Sequence, residues 1–377
     1  MDLITLAIHR KEKATIIENL LKNNSIYVCV EEFIEDEKST NTFTSYRIRI
    51  KKEDLNNALL IIDKFNLFGS RESLVESDNG LKRILVAVDF SAYSINACGA
   101  AFDLAKAINA KVKILNVIPY MQYPSHVPFA SRLKDLGDET LLDKARKKML
   151  NLCFEIDQKI TRGEFPSINY SYSLREGIVD EEVCVFVKEY DPHMLVIGTK
   201  GFDESDTGII GGVAADIIEC TNIPVLAVPL NSPLKDFSDI NHIAFLTNLD
   251  ERDYFSFVSL THILQFKKDI KITLLHVNLN SQKELERQDE FHAMIKILKE
   301  NYPCHHIDYK LINAENIIEP VLNFVSEEKV QLLSLNTQRR NLFSRVFMPS
   351  VSRRILSKSD TVLLVLRGKR LRDNTRL

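Results

Sequence analysis

No apolar run in this 377-residue sequence approaches the roughly 20 residues that a membrane-spanning helix requires. An excess of one charge is lacking too: 49 Lys and Arg against 52 Asp and Glu leave a net charge of −3. That balance gives no global electrostatic case for nucleic acid or an anionic membrane surface. The amino terminus, MDLITLAIHRKEK, has no basic segment ahead of its apolar one and no cleavage-like site, so it does not read as a secretory signal. The cysteines (Cys29, Cys98, Cys153, Cys184, Cys220 and Cys304) stand apart without a CxxC pair. That spacing favours reduced, buried thiols over a disulfide framework or a metal site, and with it a cytoplasmic protein. None of the histidines falls in an HExxH spacing, no GxSxG elbow occurs, and the GK[ST] ending of a P-loop is missing. His305 and His306 begin a predicted strand, where neighbours point to opposite faces, so they make a poor chelate. Nothing supplies an evident catalytic nucleophile or base, and the chain does not read as an enzyme.

What is present is a regular alternation. At this length two or three domains are expected. From Lys82 onward RILVAVD reads as a buried strand, SINACGAAFDLAKAINA as an alanine-rich helix and KVKILNVIP as a second strand. The helix ETLLDKARKKMLNLCFEIDQKI, the half-exposed strand INYSYSLRE, the helix IVDEEVCVFVKEYD and the strands PHMLVIG and IPVLAVPL complete a unit over 82–230. Alternating β and α elements with apolar strands predict a parallel sheet covered by helices.

The pattern then recurs over 240–368. HIAFLTNLD stands for RILVAVDFS, IKITLLHVNL for KVKILNVIP, HHIDYKLIN for INYSYSLRE, VQLLSLNT for PHMLVIGT and TVLLVLRG for IPVLAVPL. A repeat of about 140 residues marks whole domains rather than a solenoid. NSPLKDFSD (231–239) reads as the linker between them. Residues 1–75 lie outside the repeat. Their β-α-β-β-α order suits a small α+β domain of ferredoxin-like outline.

Glycine is scarce, at 12 residues, so the stretch VIGTKGFDESDTGIIGGVAADII, with Gly198, Gly201, Gly211 and Gly212, stands out. It lies between the buried strand ending at Ile197 and a helix with apolar Ile209, Val213 and Ile217 on one side. Two readings are open for a glycine-rich strand-to-helix turn. It lets an anion such as phosphate approach bare amides at a helix N-terminus, or it is a flexible connection. Asp89 ending the first strand, Val117 on the second and the glycines after the fourth would converge beyond the sheet's carboxyl edge, where open α/β sheets bind ligands. Asp89 also suits a cap on the following helix, a role compatible with ligand contact.

VAVDFS (86–91), ILNVIP (114–119), the spacing Gly198-x2-Gly201-x9-Gly211 and PVLAVP (224–229) together resemble the universal stress protein family. Both repeats carry the resemblance, from about residue 82 to 368, and the first 80 residues do not. It implies an α/β fold of two tandem five-stranded parallel sheets, strand order 3-2-1-4-5, beside the small N-terminal domain. It further implies pairing through the last strand, either as a homodimer or as an internal pseudo-dimer of PVLAVPL with TVLLVLR. Some family members bind ATP. Carried over, Asp89, beside Ala87 and Val88, would accept hydrogen bonds from the adenine or ribose, and Val117 would offer backbone groups to the base. Gly198, after Ile197, would with Gly201 and Gly211 admit ribose and phosphates, while the Gly212 and Val213 amides face the phosphates. The family's motif has Ser or Thr after the third glycine, where this chain has Gly212. The lost neutral hydrogen bond is worth about 0.5–1.5 kcal/mol, up to roughly tenfold in affinity. Asp203, Glu204 and Asp206 in the loop either bring Mg²⁺ to a triphosphate or are solvated loop acids.

In the second repeat Asn248 stands at Asp89, Asn336 at the first glycine, Arg339 at the second, Pro349 at the third, and Ser350 at the hydroxyl position. Side chains would fill the nucleotide's space, and Pro349 removes an amide. The basic loop there (Arg339, Arg340, Arg345, Arg353, Arg354) suits an anion or acidic partner, or is a solvated surface. The sequence thus points to a regulatory, adenine-nucleotide-binding stress protein. A nucleotide-independent scaffold and a slow ATP hydrolase are its rivals.

Overall fold

The computed structural model describes residues 3–9, 11–34, 44–54, 57–58, 61, 82–119, 141–199, 212–234, 236–248, 251–279, 284–336, 351–356 and 358–367. Within the first repeat, β4 (Lys82–Ala87), β5 (Ala110–Pro119), β6 (Tyr170–Gly177), β7 (Met194–Thr199) and β8 (Val225–Pro229) are parallel neighbours in the order β8-β7-β4-β5-β6. Counted within the unit this is 3-2-1-4-5, as expected. Within the second, β9 (His242–Leu246), β10 (Lys271–Asn278), β11 (His306–Asn313), β12 (Leu332–Asn336) and β13 (Val362–Leu366) repeat it. The two halves share one ten-stranded sheet, because β13 pairs antiparallel with β8, Leu363 opposite Ala227 and Val365 opposite Val225.

The central strands are apolar on both faces, which demands helices on both. On one face lie α2 (Ala92–Ile108) and α3 (Leu141–Thr161) of the first half, and α6 (Glu251–Ile263) and α7 (Glu284–Asn301) of the second. They bury Phe102, Leu104, Met149, Leu152, Phe257, Leu260 and Leu298 against alternate strand residues such as Val86, Leu226 and Leu364. On the other lie α4 (Val179–Tyr190), α5 (Val213–Cys220), α8 (Ile318–Glu327) and α9 (Val351–Leu356), burying Phe186, Ile217, Val321 and Ile355. Each such buried side chain contributes about 1.5–3 kcal/mol. Both apolar layers run unbroken across the β8–β13 junction.

The segment expected as a linker is part of this core. Leu234, Phe237 and Ile240 are buried with residues of both halves, including Leu104, Met194, Leu264, Leu332 and Leu364. Its Pro and Ser residues suggested a loose connection, but its apolar residues plug the seam between the two units.

At the amino terminus, β1 (Leu3–His9), α1 (Lys11–Asn23), β2 (Val28–Ile34) and β3 (Thr44–Lys51) make an antiparallel sheet in the order β1-β3-β2. The parallel β1 and β2 flank β3, the split β-α-β arrangement of a ferredoxin-like outline. The helix expected at LNNALLIIDKF falls mostly outside the described residues. Ile17, Leu21, Ile48 and Ile50 form its core, and Phe154 of α3 packs against it. Where this domain meets α3, the Tyr170 hydroxyl donates to Asp157 Oδ1 at 2.7 Å. Burial pushes the Asp157 carboxyl up to about 7, with the Tyr170 bond and Arg47 of β3 opposing that rise.

One expectation fails outright. Cys184 of α4 and Cys220 of α5 are joined in a disulfide, with their Cα atoms 6.3 Å apart. The sequence had suggested that all the cysteines were reduced. Lying 36 positions apart, the two meet only because α4 and α5 pack side by side on one face of the sheet.

Candidate functional site

The chain runs from β4 to β5 and β6 on one side, then returns to β7 and β8 on the other, so strand order reverses between β4 and β7. This is the switch point at which helices leave opposite faces and open a crevice. At its carboxyl edge β4 ends at Ala87, and the next residues turn into α2.

That turn is built from hydroxyls. Ser91 caps α2, its side chain accepting from Ser94 N at 3.3 Å. Asp89 Oδ1 accepts from Ser91 N at 3.0 Å and from Ser91 Oγ at 2.5 Å. Asp89 N donates to Ser94 Oγ at 3.3 Å. Partial burial pushes the Asp89 carboxyl up, but the Ser91 hydroxyl and amide, with Ser94 behind them, outweigh it and hold it below its ordinary value. Asp89 is therefore an exposed carboxylate anion, fixed by the cap and able to accept hydrogen bonds but not to attract phosphate. Phe90 beside it holds a left-handed φ of 66°, the kink that lets strand pass directly into helix.

Val88 N donates to Leu115 O at 2.8 Å, so Leu115 turns its polar groups toward β4. Backbone polar groups alternate sides along a strand, so Val117, two residues on, directs its N–H and C=O to that side, past the end of β4. Its side chain is buried. Asn116 between them is buried and donates through Nδ2 to Val88 O at 2.7 Å, tying β5 to the turn. Sequence reading passed over Ser91, Ser94 and Asn116 as site-builders. An amide within the apolar run ILNVIP was the available signal.

The glycines differ in kind. A Cβ on Gly198 would stand 2.4 Å from Tyr93 O and 2.6 Å from Ser94 N, so the first turn of α2 lies directly on β7 there. Gly198 is required by the fold itself, ligand or none. Gly212 is exposed, with φ −116° and, among the described residues, nothing within 4 Å of an added Cβ. It is the N-cap of α5 without a side-chain cap, its carbonyl accepting from Ala215 N at 2.8 Å and Asp216 N at 3.2 Å. The next residue, Val213, opens the helix; expected on its apolar side, it is instead 49% exposed. Its amide is among the first of the helix, which lack partners within it. Ala87 is half-buried, Val88 just beyond β4 is buried, and Ile197 is a buried strand residue at the same edge. Gly201, Gly211, Asp203, Glu204 and Asp206 lie outside the described residues. Among the described residues no group of three or more His, Cys, Asp or Glu could hold a metal ion, and no helix is long and apolar enough to cross a membrane.

The second half repeats the frame with other side chains. Thr247 N donates to Leu275 O at 2.9 Å, matching Val88, and His276 Nδ1 stands 2.8 Å from Thr247 O where Asn116 meets Val88 O. Asp253 replaces Ser94 and is buried. It accepts from Asn248 N at 2.6 Å, Thr247 Oγ1 at 2.9 Å and Asn336 Nδ2 at 3.2 Å. Asn336 pairs along the sheet where Gly198 does, next after Leu335 opposite Leu246 as Gly198 follows Ile197 opposite Ala87. Its side chain bonds the residue that stands at Ser94, whereas a side chain at Gly198 would meet the backbone of α2. Arg339, Pro349 and Ser350 lie outside the described residues.

The chain is similar to known proteins. Residues 80–229 match the universal stress protein family. A universal stress protein of Methanocaldococcus jannaschii is 26% identical over 157 residues, 40% of this chain and 84% of its own. A Staphylococcus saprophyticus protein named for the same family is 28% identical over 160 residues, 41% of this chain and 88% of its own. The crystal structure of a universal stress protein from Archaeoglobus fulgidus covers 76% of this chain and 98% of its own, with a TM-score of 0.57. At 12% identity that likeness is one of fold, and it extends beyond either half alone. Residues 80–229 of the chain are a domain of the universal stress protein family.

Proposed function

We propose that the first half binds one adenine nucleotide, ATP in the first instance, at the carboxyl edge between β4 and β7, and that the second half is a partner unit without a site of its own. The observation that carries this reading is the contrast between two equivalent edges. In the first half Asp89 and Gly212 are exposed, and among the described residues nothing stands within 4 Å of an added Gly212 Cβ. In the second, the counterparts of Gly198 and Ser94 are Asn336 and Asp253, bonded to each other, and Asp253 also holds the amide of Asn248, the counterpart of Asp89. In the proposed pose the Asp89 carboxylate accepts from adenine or ribose donors, the Val117 backbone meets the base, and the α5 amides at Gly212 and Val213 face the phosphates. Any Mg²⁺ would arrive with the triphosphate. Occupancy acts as a signal to whatever contacts the N-terminal domain or the basic loop, the role of a regulatory protein rather than an enzyme.

A nucleotide-independent scaffold is favoured by two observations: Gly198 has a structural reason to be glycine, and Gly212 offers no hydroxyl. Denaturing freshly purified protein, identifying released nucleotide by mass spectrometry, and titrating ATP by calorimetry decides between them. Gly201→Val should abolish binding under the first reading and leave a scaffold unchanged.

A further inference from the structure

We propose that Cys184 and Cys220 are a reversible thiol–disulfide pair that governs the order of α5. Their disulfide closes a ring in the chain, and within it lie the end of α4, the whole of β7, the glycine-rich stretch and α5 up to its last residue. The connection from the switch-point strand to the helix that follows is therefore clamped at the far end of that helix. Both cysteines are half-buried, open to a small reagent at the surface of the α4–α5 layer.

The rest of the chain makes this pair selective. Among the described residues Cys29, Cys98, Cys153 and Cys304 are free. Burial pushes the Cys98 thiol up to about 12, and burial with the nearby Asp157 pushes Cys153 up further, so neither supplies thiolate at neutral pH. Cys29 is on β2 in the N-terminal sheet, and Cys304 is exposed before β11, so neither is an element-neighbour of α5.

What α5 would lose on reduction follows from how it is otherwise held. It is only 8 residues long and starts without a side-chain cap. Ile217 and Ile218 are buried beneath it, Thr221 Oγ1 donates to Ile217 O at 3.0 Å, and Arg367 donates to Ile218 O from the far side of the β8–β13 junction. A helix this short is marginal by its own hydrogen bonds and depends on tertiary anchors. The disulfide is the covalent anchor at its carboxyl end, so reduction leaves the helix to its apolar burial and to non-covalent bonds.

The chemistry balances with a peroxide or a small-molecule disulfide as oxidant. With hydrogen peroxide, one thiolate attacks a peroxide oxygen and the O–O bond breaks, giving a sulfenic acid and hydroxide, which takes the proton the thiol had lost and becomes water. The second thiol then attacks that sulfur, closing the S–S bond and releasing a second water. With an oxidised small disulfide, a mixed disulfide forms first. The second thiolate then displaces the small thiol, so that two electrons and two protons end on two small thiols. The same small thiols in excess reverse it.

Full-length protein is equilibrated in oxidised or reduced glutathione, alkylated, digested and mapped by mass spectrometry, with amide hydrogen exchange of residues 213–220 measured in each state. The expected result is a Cys184–Cys220 cross-linked peptide in oxidised buffer and two alkylated cysteines in reduced buffer. Interconversion should occur without unfolding, and α5 exchange should quicken at least tenfold on reduction. Cys184→Ser and Cys220→Ala should exchange at the reduced rate in either buffer. Persistent thiols under oxidised glutathione, cross-links to other cysteines, or equal α5 exchange in both states would overturn the proposal. Because α5 bears the amides assigned to phosphate above, ATP affinity should also differ between the two states, a corollary that rests on the nucleotide reading. Absence of ATP binding in both states refutes that reading alone, and the exchange rates still decide this one.

Discussion

Gly198→Ala is the substitution for which the structure gives the sharpest number. The new Cβ would sit 2.4 Å from Tyr93 O, 2.5 Å from Tyr93 C and 2.6 Å from Ser94 N, all backbone atoms in the first turn of α2. No rotamer change can relieve such a contact, so α2 and β7 must separate by roughly half an ångström or more. Separation also pulls on the Ser91–Ser94 cap and on Asp89 N, which bonds to Ser94 Oγ. Overpacking of this kind costs about 1–3 kcal/mol, and the rigid neighbours place it at the upper end. Removing a glycine from the unfolded chain returns about 0.4–1 kcal/mol. The net loss is about 2 kcal/mol, a fall in melting temperature of about 4–8 °C for a unit of this size. Gly212→Ala is the matched control, since among the described residues nothing lies within 4 Å of its Cβ and its φ of −116° suits any residue. It should cost less than about 1 kcal/mol, as the poorer N-cap. Thermal melts by circular dichroism, without nucleotide, make the comparison. A Gly198→Ala protein melting within about 1 °C of the parent would refute the close approach of α2 to β7.

Gly212→Ser restores a cap and a hydroxyl at an unobstructed position; it should raise ATP affinity up to roughly tenfold by calorimetry and stability by a few tenths of a kcal/mol. Asp157 has its folded pKa raised to about 7 from 3.8, so the folded state holds a proton that the unfolded state has lost between those values. Stability from this group is therefore present at low pH and lost as pH rises from about 4 to 7. Asp157→Asn should flatten that slope and stabilise the protein at pH 8 by about 2–4 kcal/mol, read from denaturant midpoints across pH. Asp253→Ala removes the acceptor shared by Thr247, Asn248 and Asn336 and should destabilise by about 2–3 kcal/mol in the same assay, with ATP binding unaltered.

Much of the fold was legible because the strands of a doubly wound sheet must be apolar on both faces. RILVAVD, KVKILNVIP and PHMLVIG announce themselves in one half and HIAFL, IKITLLHVN and VQLLSLN in the other. The edge strands β6 and β11 showed the looser alternation of half-exposed positions. The seam was harder. PVLAVPL and TVLLVLR are the right strands to pair, but an apolar run does not say whether its partner lies in the same chain. The 231–239 segment looked like a linker because Pro and Ser dominate the eye, while its burial depends on Leu234 and Phe237 meeting a surface made by both halves. Cys184 and Cys220 carried no local signal at all, since helix packing brings them together. At the candidate site, Asp89 was legible by its place at a strand end. The reason for Gly198 was hidden, because the atoms that crowd it belong to Tyr93 and Ser94, far back in the chain.

Stoichiometric ATP titration of the full-length protein, with mass spectrometry of nucleotide released on denaturation, tests the central claim most directly. One ATP per chain, lost in Gly201→Val, is the predicted result. Two per chain would contradict the proposal that the second half has no site of its own, and none, with folded protein and Mg²⁺ present, would contradict the nucleotide site itself.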